Sequence, residues 1–434
     1  MTNKRAKDTS PRRDSESFRK TILPNGLRIV AEKIPHVRSV SFGVWVDVGS
    51  RDEKLEKNGI SHFAEHMVFK GTKTRSAQQI AQSLESVGGH LNAFTSREQT
   101  CYYAKVLDEN LPQAVEIIAD IIRNSVLREE DVKKEKKVIL EEIKDVADSP
   151  AEMIHDLFAL SLWSNHSLGY PVMGRAKSVR GFSRTDLVSF MRHNYSPRRI
   201  VVAASGNLEH QRVIRDIETL FPFGTDRGRS LQRSSPRAAK NMRFKRKRTA
   251  QAHLCLGFPS FPFSDPGRPA LSVLNNIVGA GMSSRLFQKV REEKSLVYTI
   301  YSYIDFYQDT GILGIYFATS ERQIRQALSL VIEELENLKA GKLSESELTG
   351  AKNQLKGQLM LGLESTSNRM HRIAKHELLV GRFISLDESL NLIDTVTIED
   401  MIAVANRVLD PERCCLAGLG PVNRGSLNGL SWFK

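Results

Sequence analysis

Two histidines and a glutamate stand at metal-binding spacing in His62-Phe63-Ala64-Glu65-His66. Positions i and i+4 of a helix lie nearly above one another, so His62 and His66 can point at one metal ion. Glu65 lies one step round the helix, where it can reach a water molecule on that ion and act as a general base for hydrolysis. Taken alone, the pattern is also compatible with two structural histidines.

An apolar stripe on the other side of the same helix favours a functional site. The stripe comprises Ile60, Phe63, Ala64 and Met67, so we expect the helix to be buried in its fold. A buried face of imidazoles and a carboxylate needs partners, because unpaired polar groups are costly away from water.

A hydrolytic zinc site needs a third protein ligand and an open fourth position. The segment from Val132 to Val146 offers a ligand, because its periodicity predicts a helix with a core-facing stripe. Glu135 and Glu142 stand on that stripe, whereas Glu141 belongs to a lysine-rich solvated face. The pattern favours Glu142 as the ligand and makes Glu135 a candidate acceptor that orients a histidine. The alternative is an ordinary amphipathic helix whose stripe is misassigned.

The two motifs together resemble those of the pitrilysin/insulinase family of metallopeptidases, inverzincins that include the mitochondrial processing peptidases. That family carries a Glu-x6-Glu pair at this distance downstream, matched here by Glu135 and Glu142. The resemblance implies that His62, His66 and Glu142 bind Zn2+, with one ion per chain. It also implies that Glu65 is the general base and that Glu135 is an accessory carboxylate.

The stretch from Gly89 to Thr95 is similar to the family's active-site edge strand. In the family the substrate peptide is laid beside this strand as an added strand, which implies that Asn92 and Ala93 bind substrate. Without the family, the stretch predicts only a sheet strand, and its edge need not be free.

A later segment, running from Gly279 to Phe287 and on to Arg291 and Tyr298, is similar to the signature of the family's second domain. The resemblance implies that Arg291 and Tyr298, seven residues apart, hold substrate and stabilise the tetrahedral oxyanion. Without the family, Arg291 beside Glu292 predicts a surface ion pair.

Composition is that of a large globular protein. The 434 residues predict two or more domains, and 40% hydrophobic with 26% charged residues is an ordinary balance. We expect no membrane insertion, because no apolar run reaches the length of a spanning helix. The first 20 residues lack the apolar region of a secretory signal and mix acids with bases, which predicts a flexible arm and a cytoplasmic protein. The four cysteines are expected to be reduced core thiols.

The formal charge of +13 raises the question of nucleic acid. The densest cluster, from Arg243 to Arg248, has no recognisable nucleic-acid module beside it, so we do not expect nucleic-acid binding. A second interpretation is that positive charge lines a substrate chamber and favours acidic peptides or peptide C-terminal carboxylates.

The coarse pattern of helices and strands repeats after about 200 residues, which predicts duplicated α+β domains. We expect two homologous domains, each a mostly antiparallel sheet with helices packed on one face and the other face free. A stretch rich in Arg, Ser, Pro and Gly divides them. The predicted boundaries are a flexible basic arm at 1–17, a zinc-binding peptidase domain at 18–224, a linker at 225–245 and a second domain at 246–434 that carries Arg291 and Tyr298.

The resemblance implies a zinc-dependent endopeptidase of the two-domain bacterial type, which cleaves unfolded peptides or presequence-like segments inside a closed dimer chamber. Family members with four domains on one chain place the zinc motif in the first and the Arg/Tyr pair in the last. A two-domain chain therefore implies that a second subunit supplies Arg291 and Tyr298, in a homodimer or in a heterodimer with a related chain. The alternative is a catalytically silent structural or presenting subunit, against which the complete set of motif residues argues.

Overall fold

The computed structural model describes residues 17–221 and 232–433. Of the arm predicted at 1–17, only Ser17 is described. Residues 225–231 of the linker predicted at 225–245 also lie outside the described residues. The described chain forms two halves, each built around one sheet.

The first half holds a six-stranded sheet. Its strands are β1 (Phe18–Ile22), β2 (Arg28–Lys33), β3 (Ser39–Val46), β4 (His90–Thr95), β5 (Thr100–Leu107) and β6 (Ile200–Gly206). Its helices are α1 (Ile60–Val68), α2 (Ala77–Glu85), α3 (Leu111–Asn124), α4 (Glu129–Asp148), α5 (Pro150–Leu162), α6 (Ala176–Gly181), α7 (Arg184–Asn194) and α8 (His210–Leu220). The strand order is β1-β2-β6-β3-β5-β4, and of its pairs β2 with β6 is parallel while the others are antiparallel.

The second half repeats the plan with a five-stranded sheet. Its strands are β7 (Asn241–Arg246), β8 (Ala252–Ser260), β9 (Val297–Phe306), β10 (Gly311–Thr319) and β11 (Cys415–Gly420). Its helices are α9 (Arg268–Val278), a π-helix (Phe287–Glu293), α10 (Ile324–Lys339), α11 (Glu345–Gly362), α12 (Thr366–Val380), α13 (Leu386–Asp394) and α14 (Ile398–Val408). The order is β7-β11-β8-β10-β9, with β7 and β11 parallel. The α+β architecture with two mostly antiparallel sheets agrees with the prediction.

Each sheet packs one face against helices of its own half. Alternate residues of β3, such as Val40, Phe42 and Val44, are fully buried in a cluster with the apolar stripe of α3. Pro112, in the first turn of α3, suits a position where no intrahelical N–H bond is needed. Burial of each such large apolar side chain contributes about 1.5 to 3 kcal/mol.

The second face of each sheet is covered as well, which corrects the expectation that it stays free. Helix α12, from the second half, packs Met370, Ile373 and Ala374 against the first sheet. Helix α5, from the first half, packs Ile154, Phe158 and Leu162 against the second sheet. The reason is that the central strands are apolar on both sides; all seven residues of β6 are buried.

A buried ionic cluster joins the two halves at one junction. The guanidinium of Arg51, 1% exposed, lies 2.5 Å from a carboxylate oxygen of Glu98 and 2.6 Å from one of Asp309. Arg233 pairs with Asp52 at 2.8 Å and donates to the carbonyl of Glu98. Removal of one member would leave buried charges unpaired, so the cluster fixes how the halves meet.

Strand β7 starts inside the segment predicted as linker. Residues 241–246 pair with β11 at the edge of the second sheet, so sheet structure resumes before residue 246. Met242 and Phe244 pack on the second core, while Lys245 and Arg246 are exposed. The basic run therefore begins in an edge strand, where Arg243 and Lys245 lie on the side opposite Met242 and Phe244.

All four cysteines are buried and unpaired. Across residues 17–221 and 232–433, no helix is both long enough and apolar enough to cross a membrane.

Candidate metal centre

Helix α1, which carries the His-x-x-Glu-His motif, is anchored at its first turn by Glu53. Gly59 precedes the helix with φ 97°, and the Glu53 carboxylate accepts the N–H of Gly59 at 2.7 Å and that of Ser61 at 2.8 Å. The amide of Asn58 donates to the same carboxylate at 2.9 Å. Glu53 therefore pairs with backbone N–H groups that a helix start leaves without intrahelical partners. Burial raises the pKa of Glu53 to about 7, although these donors oppose the shift.

The far side of α1 is fixed by apolar packing. Ile60, Phe63, Ala64 and Met67 are buried in one cluster with Val132 and Ile139 of α4 and with α7 residues. This packing holds α1 against α4, so the polar faces of the two helices meet.

His62, His66 and Glu142 converge where those faces meet. Their ligand atoms all lie within 4.8 Å of one another. Oε2 of Glu142 is 3.9 Å from Nε2 of His62 and 3.7 Å from Nε2 of His66. Ligand atoms of a tetrahedral zinc ion, each about 2 Å from the metal, lie about 3.3 Å apart. The three groups are therefore near the spacing that zinc requires.

The donor set fits zinc chemically as well as geometrically. Oε2 of Glu142 is buried and accepts no hydrogen bond from the described residues, so it is free for a cation. Burial, with the nearby His66, lowers the pKa of His62 to about 4, which keeps the imidazole neutral and its lone pair available. Two imidazoles and one carboxylate are a known ligand set for catalytic zinc.

Glu135 orients His66. The Nδ1 atom of His66 lies 2.9 Å from one carboxylate oxygen of Glu135, and Lys70 lies 2.8 Å from the other. Burial opposes ionisation of Glu135, but hydrogen bonds from His66 and Lys70 outweigh it and lower its pKa. An ionised Glu135 is an acceptor for a proton on Nδ1, and the other ring nitrogen, Nε2, lies 3.7 Å from Oε2 of Glu142.

Glu65 is held beside the cluster by strand β4. Its Oε2 accepts the hydroxyl proton of Thr95 at 2.6 Å. Burial raises the pKa of Glu65, although the bond from Thr95 opposes this. A carboxylate with a raised pKa is a better proton acceptor near neutral pH.

Strand β4 is the terminal strand of the first sheet, next to β5. Asn92 is exposed, and its side-chain oxygen accepts the N–H of Ala93 at 2.8 Å. Ala93 is half-buried and packs on the first core. The edge strand β4 therefore ends at Thr95, and the hydroxyl of Thr95 contacts Glu65.

Arg291 and Tyr298 lie in the second half and contact each other. The Arg291 guanidinium is 5.6 Å from the centre of the Tyr298 ring and 4.6 Å from that of Phe287. It also lies 3.7 Å from Glu292, and Tyr298 is 74% exposed at the start of the edge strand β9. The contacts found for these two side chains in the described ranges do not include the histidine cluster.

Sequence reasoning missed two residues of this site. Thr95 carried a signal, because alternation along β4 places it on the same face as Ala93 and Leu91. The sequence around Glu53 gave little signal, because the six residues before Gly59 include a short 3-10 turn that no periodic pattern indicates.

Comparisons with known proteins point to one family. A family model described as "Insulinase (Peptidase family M16)" matches residues 28–176, and one described as "Peptidase M16 inactive domain" matches residues 181–355. An uncharacterized zinc protease of Bacillus subtilis is 44% identical over 92% of this chain and 97% of its own length. A relative from Streptomyces coelicolor, also named an uncharacterized zinc protease, is 42% identical over 94% of this chain and 90% of its own.

Solved structures share the fold. A protease from Helicobacter pylori superposes with a TM-score of 0.86 at 23% identity, over 93% of this chain and 99% of that one. A chain from Pseudomonas fluorescens, titled as a peptidase M16 inactive domain, also gives 0.86, at 18% identity over 94% and 98% of the two chains.

Proposed function

Because the chain belongs to the M16 insulinase family of peptidases, we propose that it is a zinc-dependent endopeptidase that cleaves unfolded peptides or presequence-like segments. The observation that carries the proposal is the convergence of His62, His66 and Glu142 beside Glu65. Relatives named zinc proteases support the same activity.

In this proposal His62, His66 and Glu142 hold one zinc ion per chain, and Glu135 keeps His66 in the tautomer that binds metal. Zinc in such a site supplies Lewis acidity, which makes a water molecule acidic enough to lose a proton near neutral pH.

Glu65 is the proposed general base. Its raised pKa suits it to take a proton from the attacking water and to pass that proton to the leaving amine. Thr95 holds the carboxylate in place through its 2.6 Å hydrogen bond. Arg291 and Tyr298 are proposed to stabilise the oxyanion and to hold substrate.

The proposed substrate lies as an added strand along β4, beside Asn92 and Ala93. Main-chain hydrogen bonds at a sheet edge bind an extended peptide with little regard to side chains. A folded substrate cannot present such a strand, so unfolded segments are favoured.

The active unit is proposed to be a dimer, either a homodimer or a heterodimer with a related chain, that encloses a chamber. The support is that Arg291 and Tyr298 contact each other rather than the histidine cluster of their own chain. A mixture of two inactive variants tests this, one with Glu65→Gln and one with Arg291→Ala. If subunits share sites, mixed dimers recover up to about one working site in two. Full activity of a strictly monomeric sample at nanomolar concentration would refute the shared site.

The unpaired buried cysteines are consistent with the proposed cytoplasmic location.

The zinc peptidase itself is tested by elemental analysis and by hydrolysis of a quenched random-peptide library. Wild type is expected to carry about one zinc per chain and to lose cleavage when chelated. Glu142→Gln should lose both zinc and activity, while the neighbouring exposed Glu141→Gln should keep both. Glu65→Gln should keep zinc and lose about 100-fold to 10,000-fold in turnover. A Glu65→Gln enzyme as active as wild type would contradict the mechanism; zinc-loaded wild type without cleavage would instead indicate the silent subunit.

A further inference from the structure

A cavity of about 440 Å³ lies in the second half, between helices α9, α11, α12 and α13. Arg268, Arg372 and Lys375 line it, together with apolar side chains that include Leu359 and Ile393. Among the described residues that line it there is no carboxylate. The cavity therefore combines three cationic side chains with an apolar wall.

Two of these cations share one aromatic ring instead of an acidic partner. The guanidinium of Arg268 lies 4.2 Å from the centre of the Phe263 ring, and the ammonium of Lys375 lies 5.3 Å from it. Neither side chain forms an ion pair within residues 17–221 and 232–433. Arg372 donates to the carbonyl of Ile384 and to the hydroxyl of Ser389.

Glu388, an acid that acts on Arg268, is already engaged. Both carboxylate oxygens of Glu388 accept from Arg382, at 2.7 and 3.0 Å. Burial lowers the pKa of Arg268, and repulsion from Arg372 adds to the shift. Lys375 is exposed and lines both this cavity and the adjoining one. Desolvation and mutual repulsion disfavour the charged form of neighbouring cations, so a ligand that brings negative charge stabilises that form.

The cavity adjoins a second one that reaches the edge strand β4. This second cavity, of about 500 Å³, shares His371 and Lys375 with the first and is also lined by Phe94 and Ser96. The Phe94 and His371 rings are 5.7 Å apart. Phe94 and Thr95 are successive residues of β4, so they lie on opposite faces of the sheet, and Glu65 contacts Thr95. A peptide strand added beside β4 would present alternate side chains to both faces, and those on the Phe94 face would point toward the two cavities.

The connecting cavity is not itself an anion site. It contains Asp305 and Glu98 as well as Arg97, and these acids lie near enough to Lys375 to favour its charged form. Of these two adjoining cavities, the one around Arg268 and Arg372 has cations alone among its charged, described lining residues.

We infer that this cationic cavity selects substrates by binding a carboxylate of the peptide, with the apolar wall accepting the aliphatic groups next to it. The inference rests on the proposed peptidase function and deepens it. Of the two proposed kinds of substrate, it selects unfolded peptides with an acidic group to one side of the cleaved bond, because presequence-like segments are poor in acids. An aspartate or glutamate side chain and a C-terminal carboxylate offer the same chemistry, and the test separates them.

The test uses quenched peptides of one sequence in which a single glutamate or glutamine is moved through successive positions, each made with a free or an amidated C-terminus. Wild type should cleave the best glutamate peptide about fivefold to tenfold faster, in kcat/KM, than its glutamine twin. Preference for the free C-terminus over the amide at a fixed length would identify the terminal carboxylate as the source instead.

Charge-neutral variants assign the preference to the cavity. Lys375→Gln and Arg268→Gln, singly and together, should abolish the difference in kcat/KM between the glutamate and glutamine peptides. Arg215→Gln with Arg322→Gln removes the same charge from exposed positions on other helices and should leave the preference intact. Lys375→Glu should also abolish the preference, because the new carboxylate would pair with the remaining cations Arg268 and Arg372.

Two failures are distinguishable. Cleavage of all peptides without regard to charge, or a preference that persists in the double variant, would overturn the role of the cavity and leave the peptidase standing. No cleavage of any peptide by the zinc-loaded wild type, the neutral ones included, would overturn the proposed function and the selection with it.

Discussion

Replacement of Glu53 by glutamine should change both the stability of the fold and its dependence on pH. Glu53 is buried and accepts three N–H groups at the start of the helix that carries His62 and His66. A glutamine amide has a single acceptor oxygen and turns an NH2 group toward those donors. We expect Glu53→Gln to unfold more easily by about 1 to 3 kcal/mol at pH 5, the cost of a buried donor left without an acceptor.

The pH dependence follows from the raised pKa. The Glu53 carboxyl titrates at about 7 in the fold, against an ordinary value of 4.5. Between these values the folded chain keeps a proton that the unfolded chain has released. The stabilisation linked to that proton is therefore complete below about pH 4.5 and is lost as the pH rises to about 7. The two pKa values correspond to about 3 kcal/mol at most.

Urea unfolding of wild type and Glu53→Gln, followed by circular dichroism from pH 5 to 8 with chelator present, measures this term. The free energy by which wild type exceeds the variant should be largest at pH 5 and should shrink by about 2 to 3 kcal/mol toward pH 8. Glu56→Gln, an exposed change three residues away, should follow the wild-type curve. A difference that stays constant over the whole range would refute the reasoning.

Three further perturbations have defined outcomes. Glu135→Gln should weaken zinc binding about 10-fold to 100-fold, because His66 loses its orienting acceptor, whereas the exposed Glu130→Gln should not; competition with a fluorescent chelator measures this. Arg51→Met should lower the free energy of unfolding by about 3 to 5 kcal/mol, because it leaves buried carboxylates unpaired, while Arg38→Met at the surface should cost under about 1 kcal/mol. Ile373→Ala should cost about 2 to 5 kcal/mol, since it opens a cavity under the first sheet; equal midpoints for variant and wild type in urea would contradict either stability claim.

Helical periodicity in the sequence was enough to select the candidate ligands that lie on a single helix. The spacing of His62 and His66 required only the helical repeat, and the buried stripe of α4 separated Glu142 from Glu141 because burial follows that repeat. The structure brings His66 and Glu142 together across 75 intervening positions through apolar packing between α1 and α4. The sequence showed the apolar stripe of each helix but not that the two stripes pack against each other.

Features that depend on distant parts of the chain were missed for a physical reason. Nothing near Trp45 or Ala203 indicates that Ile373 will cover them, because a sheet face specifies that it needs an apolar partner and not which one. The strand containing Met242 and Phe244 did carry a signal, the alternation of apolar and basic residues, which the high charge of the segment obscured. The cationic cavity is lined by side chains from separate helices, so the local sequence pattern of any one helix does not indicate it.

The exchange of helices between the two halves makes the folding of each half depend on the other. Each sheet takes one of its two coverings from the other half, so separation would strip α12 from the first sheet and α5 from the second in the same event. Neither half is then a self-sufficient folding unit, whatever the peptide link between them does. A chain cut between residues 221 and 232 should remain a tight noncovalent pair, and the two fragments, expressed separately, should need each other to reach the native state.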